Sequence, residues 1–89
     1  MAGIERRELD EIRGALNKCH LGSREIFKEL MRAYPTGIIR LMQYEMADLF
    51  NVHRNTIGTH LKDLRRHGLL RRGKEGFYIP HLVSVRRVK

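Results

Sequence analysis

The stretch from Gln43 to Gly68 constrains the fold more than any other part of the chain. Helical spacing runs through Met46, Leu49 and Phe50, stops at Asn51-Val52-His53, and resumes from Arg54 through Ile57, Leu61 and Leu64 to His67-Gly68. The three interrupting residues suffice only for a turn, so the spacing predicts two helices joined by a tight connection. At about 100° per residue, Ile57, Leu61 and Leu64 fall within about 60° of one another on the second helix. Asn55, Thr59, Lys62 and Arg66 then occupy the opposite side, a face with an amide, a hydroxyl and two cations and no acid at its centre.

The flanking segments complete a helical unit with a small sheet. Leu9, Ile12, Leu16 and Cys19 form one apolar stripe on a helix over about residues 4–20, with Leu21-Gly22 as its stop. Ser23 is expected to cap a second helix that buries Ile26, Phe27, Leu30, Met31 and Tyr34, ending at Pro35-Thr36-Gly37. Ile38 to Leu41 is β-branched and suits a brief strand. Leu69–Arg72, the tip Gly73-Lys74-Glu75-Gly76 and Phe77–Ile79 read as a β-hairpin closed by Pro80. The fold class is therefore mainly α (α+β). Residues 1–22 form an N-terminal helix, 23–80 the central domain and 81–89 a basic tail.

Charge separates the two halves. Residues 1–50 hold eight Lys/Arg and eight Asp/Glu, whereas residues 51–89 hold ten Lys/Arg against Asp63 and Glu75. The whole formal charge of +8 thus resides in the second half. A basic half joined to a neutral one is the footprint of a polyanion-binding surface. No apolar run approaches the roughly 20 residues of a membrane span, and the opening MAGIERRELD lacks the apolar core of a secretory signal. The single cysteine excludes an intramolecular disulfide framework. Together these predict a cytoplasmic, nucleoid-associated protein with no membrane partner.

The string QYEMADLFNVHRNTIGTHLKDLRRHGLL, Gln43 to Leu70, resembles the helix-turn-helix of the catabolite-activator and related bacterial and archaeal winged-helix regulators. Ala47 stands where that family keeps a small residue at the helix crossing, and Asn51 stands at the turn position usually held by glycine. Gly68-Leu69-Leu70 matches the end of the recognition helix and the start of the wing. Two departures are Met42, where Ser or Thr would cap the first helix, and His60, where an aliphatic residue would pack. The resemblance implies a winged helix-turn-helix that binds double-stranded DNA.

On this reading Arg54, Asn55 and Thr59 read bases, with His53, Thr56 and Lys62 beside them on the recognition helix. Asparagine can bond adenine through two atoms, and threonine offers a methyl to thymine or a hydroxyl to a base edge. Gly58 and Thr56 are small enough for close approach to the groove. Arg71, Arg72 and Lys74 form the wing contact, and Gln43, Tyr44, Arg66, Arg86 and Arg87 are candidates for phosphate contact. Leu9, Ile12, Leu16 and Cys19 are the expected homodimer interface, with Gly14 permitting close approach. Lacking a separate sensor domain, such a repressor would respond through its own concentration. A replication or partition module of a plasmid or virus is the alternative, expected on direct repeats instead of a palindrome.

Other chemistries find no support. His53, His60 and His67 recur every seven residues, but about 1.5 Å of rise per residue separates neighbours by roughly 10 Å. Cys19-His20 has no further cysteine to complete a site, so no metal or cofactor is expected. Gly73-Lys74-Glu75-Gly76 lacks the length of a phosphate loop. No catalytic arrangement or small-molecule substrate is evident, which argues against an enzyme. A redox role for Cys19 would require exposure and a depressed pKa.

Overall fold

The computed structural model describes residues 6–87, with side chains through Val83. Eight elements follow in chain order: α1 (Arg6–Leu16), α2 (Leu21–Ala33), β1 (Ile38–Ile39), α3 (Gln43–Phe50), α4 (Arg54–Arg66), β2 (Arg71–Arg72), β3 (Phe77–Tyr78) and α5 (Pro80–Arg87). The pair α3–α4 and the turn between them fall where the apolar spacing places them. Asn51 closes α3 in the left-handed conformation at φ 57°, ψ 47°, and its N–H and that of Val52 return to the last turn of the helix. Asparagine adopts that region more readily than most residues, so it replaces glycine here at small cost.

The three strands form one antiparallel sheet in the order β1-β3-β2. Phe77 lies opposite both Ile39 and Arg72, and Tyr78 lies opposite both Ile38 and Arg71. The hairpin therefore returns its second strand to the centre, where β1 anchors it. Inside, Phe27 and Leu30 from α2, Met46 from α3 and Ile57, Leu61 and Leu64 from α4 pack with Ile39, Leu69, Leu70 and Ile79 in one core. Burial of this continuous apolar set drives the fold, and α4 sits at its middle, packed against both α2 and α3.

Several expectations from the sequence need correction. The first helix ends at Leu16, and a short turn carries Cys19 into the core. Leu21-Gly22 opens α2 instead of stopping α1. Gly22 is needed for packing, since a Cβ there would meet His60 Cε1 at 2.5 Å. Ser23 does not cap α2: it is fully buried inside the helix and donates its hydroxyl to Asp63 Oδ2 at 2.8 Å.

The segment after Tyr78 is a helix and not a tail. Pro80 begins α5, a position where its missing N–H has no consequence. Leu82 is buried, and α5 packs on α1. The last correction concerns the apolar stripe of α1. Ile12, Leu16 and Cys19 are buried in the chain's own core, and Leu9 is half-buried, so this stripe is not a free dimer surface. Gly14 faces open space, with nothing within 4 Å of a Cβ placed on it. Among the described residues no helix is long and apolar enough to cross a membrane.

Candidate nucleic-acid interface

Helix α4 divides its surface cleanly. Ile57, Leu61 and Leu64 are buried, while Arg54, Asn55, Thr56, Thr59, Lys62, Arg65 and Arg66 are exposed. His53 is the N-cap, its Nδ1 accepting the Asn55 N–H at 3.0 Å. That bond directs a lone pair of the ring inward and leaves Nε2 as the edge able to donate outward. Thr59 Oγ1 donates to the Asn55 carbonyl at 3.0 Å, so its proton is spent on the helix. Its methyl and the oxygen lone pairs remain for contact. The Asn55 side chain carries no structural duty in this arrangement, because its two hydrogen bonds are made by its backbone.

Gly58 also leaves room for a neighbouring side chain. A Cβ at this position would lie 2.8 Å from Nε2 of the exposed Gln43. Gln43 thereby sits beside the recognition surface, and Tyr44 next to it is exposed. Met42 offers no hydroxyl, and Glu45 caps the helix from the other side by accepting the Met42 N–H at 2.7 Å. The carboxylate is also well placed against the helix dipole.

Lys62, Arg65, Arg66, Arg71 and Arg72 line one shallow, open concavity between the end of α4 and the wing. The sequence reading passed over Arg65; its signal was the return of the hairpin to the Arg65-Arg66 pair. Arg72 also lies over the Phe77 ring, 5.8 Å from its centroid, which holds the guanidinium against the wing. At the tip Lys74 is exposed, and Glu75 pairs with Arg40 of the β1 edge at 3.2 Å. Both members of that pair are largely exposed, so its stabilisation is small, but it partly neutralises the wing's one acid. Arg86 and Arg87 belong to the last turn of α5, and their side chains lie outside the described residues, as does Lys89.

The inner side of α4 explains how the helix is held. Asp63 turns inward and accepts both the Ser23 hydroxyl at 2.8 Å and the His20 N–H at 3.0 Å. Since the single Ser23 proton goes to Asp63, the 2.9 Å contact between Ser23 Oγ and His60 Nδ1 requires the proton on the imidazole. His60 thus replaces an aliphatic packing residue with a hydrogen-bonded ring over Gly22. Burial opposes the Asp63 charge, yet the His20 N–H, the Ser23 hydroxyl and the nearby imidazoles outweigh it and hold its pKa below the usual carboxylate value.

Replacing Asp63 by alanine is expected to cost about 2 kcal/mol, because a charge-assisted acceptor is lost and Ser23 stays buried without it. For a domain of this size the melting temperature should fall by about 10 °C. The pH dependence has a definite sign. A depressed folded-state pKa adds stability that is complete above the unfolded value of about 4 and disappears as pH falls through the folded value. Thermal melts of wild type and Asp63→Asn in chelator should therefore differ at pH 7 and converge in acid.

Cys19 is also near this cluster. Burial and the Asp63 carboxylate push its thiol up, with Arg24 opposing them, so it has the reverse of the character of a redox-sensing thiolate.

A family model described as the Crp-like helix-turn-helix domain matches residues 19–87. No curated protein and no solved structure matches the chain significantly. The match spans α2 through α5 and includes the exposed face of α4, the Asn51 turn and the basic wing. The chain belongs to the Crp-like helix-turn-helix family, and its winged helix-turn-helix is a DNA-binding domain of the regulator type.

Proposed function

We propose that this domain reads a specific double-stranded DNA sequence by placing α4 in the major groove, and that it acts as a transcriptional repressor. The observation that carries the reading is the division of α4. One side is locked into the core, and the other presents Arg54, Asn55, Thr56, Thr59 and Lys62 to solvent. Arg54 and Asn55 stand in the first turn, the part of a recognition helix that meets base edges. The concavity formed by Lys62, Arg65, Arg66, Arg71 and Arg72 suits the phosphate backbone beside the groove. In the first turn of α3, the exposed Gln43 and Tyr44 side chains offer a second phosphate contact. Repression requires no further part of the molecule: occupancy of a promoter suffices.

A single recognition helix reaches base edges with about three or four side chains, which define a short site. Two-fold pairing of copies on a palindrome would multiply that specificity. The buried α1 stripe cannot supply the contact, so pairing must use another face or occur on DNA. Sedimentation of the protein with and without a selected duplex reads this directly. A single copy on every duplex would remove the dimer from the reading.

The primary test is selection from a random-duplex library, followed by titration of the selected site against scrambled DNA at two salt concentrations. A recovered palindrome bound about a thousandfold or more above scrambled DNA is the expected result. Salt-sensitive binding without sequence preference would overturn specific readout and leave a DNA-coating protein.

A further inference from the structure

We propose that Cys19, Asp63 and His67 form a binding site for a divalent transition metal of the zinc class. The sequence separates these residues by up to 48 positions, and only the fold joins them. The Cys19 turn between α1 and α2 lies against the last turns of α4. There Cys19 Sγ is 3.6 Å from His67 Nδ1, and His67 Nδ1 is 3.4 Å from Asp63 Oδ1. One ligand atom from each of the three lies within 4.8 Å of the other two.

These separations match coordination geometry. Bonds of about 2.3 Å to sulfur and about 2.0–2.1 Å to nitrogen or oxygen, at tetrahedral angles, put sulfur about 3.5 Å from nitrogen and nitrogen about 3.4 Å from oxygen. Thiolate, imidazole and carboxylate are a donor set that suits zinc and cobalt and disfavours calcium or magnesium. The outer contacts fit as well. Asp63 Oδ2 already accepts from Ser23 and from the His20 N–H, which fixes the carboxylate and leaves Oδ1 turned to His67. Cys19 is buried, while the His67 side chain is 23% exposed. A fourth, solvent-derived ligand can enter on that side.

Without metal, His67 Nδ1 lies 3.0 Å from the Asp63 carbonyl, and the three side chains form a polar cluster. On binding, the Cys19 S–H proton leaves to solvent and the imidazole proton resides on Nε2. Sγ, Nδ1 and Oδ1 then each give an electron pair to the ion, with no change of oxidation state. The ion would tie the α1–α2 turn to the end of the recognition helix. The inference does not depend on the DNA reading, because uptake is measured on the free protein.

The test is a titration of the full chain with cobalt(II), followed by optical spectroscopy. One equivalent should bind with a near-ultraviolet sulfur-to-cobalt charge-transfer band and the intense visible bands of a tetrahedral ion. Zinc should displace it and raise the melting temperature by several degrees. Cys19→Ser should lose the charge-transfer band and His67→Gln should weaken cobalt binding at least tenfold. Circular dichroism shows whether each variant is folded, and His67→Gln leaves the buried cysteine in place. Absence of the charge-transfer band in the wild type at saturating cobalt would overturn the site. So would an undiminished band in folded His67→Gln. Cobalt held only by the grouping of Glu8, Glu11 and His81 would show no thiolate band and would count against the proposal equally.

Discussion

Replacing Gly76 by alanine is expected to destabilise the domain by about 3 kcal/mol or more, an effect at the large end for a single substitution. The cause is backbone against backbone. A Cβ on Gly76 would lie 2.2 Å from the Ile39 carbonyl oxygen, 2.8 Å from that of Leu41 and 2.9 Å from the Leu41 nitrogen. None of these atoms can move by a rotamer change. The residue also sits at φ 152°, a region that side chains disfavour. Relief requires the wing to separate from β1, which breaks the pairing of Phe77 with Ile39 and opens the core where Ile39, Phe77 and Ile79 meet. DNA affinity should fall with stability, because Arg71 and Arg72 are placed by the same sheet. Gly14→Ala is the control. It lies on an open helix face and should stabilise by roughly 0.5–1 kcal/mol. Equal thermal shifts in the two variants would show that the contact at Gly76 is not what limits the wing.

The parts of the fold legible in the sequence are those governed by local periodicity and turn chemistry. α3, the three-residue turn and α4 were readable because Met46, Ile57, Leu61 and Leu64 recur at helical spacing and Asn51 accepts the left-handed conformation. The hairpin was readable because glycines flank its tip. The errors share a different cause. Ser23 and Gly22 look like helix-boundary residues, yet their identities answer to Asp63 and His60, about 40 positions away. The α1 stripe looks unpartnered until α5 and the body of the domain close over it. Likewise, a spacing argument correctly separates His53, His60 and His67, but it is blind to the approach of Cys19 to Asp63 and His67. Each miss is a residue chosen for a long-range contact that mimics one with a local role.

On a selected site, the double variant Arg54→Ala, Asn55→Ala is expected to lose at least about a hundredfold in specific affinity, since each base contact contributes roughly 1–3 kcal/mol. The change should leave the fold intact. Both side chains are exposed, alanine suits a helix, and the hydrogen bonds made at Asn55 come from its backbone. Affinity for scrambled DNA should fall far less, so the loss appears as specificity. The wing variant Arg71→Ala, Arg72→Ala, Lys74→Ala should behave in the opposite way, weakening all duplexes together and lowering the salt dependence by about 1 in slope per phosphate contact removed. Thr59 separates two modes of readout. Its hydroxyl proton is committed to the Asn55 carbonyl, so Thr59→Val removes little that DNA can use if the methyl meets thymine. A change below about threefold would then accompany a loss of at least about tenfold for Thr59→Ser, which removes the methyl. The reverse order would assign the contact to the Thr59 oxygen as an acceptor. If the Arg54, Asn55 double variant binds both kinds of DNA as tightly as wild type, the exposed face of α4 is not the reading surface, and the basic concavity alone holds the duplex.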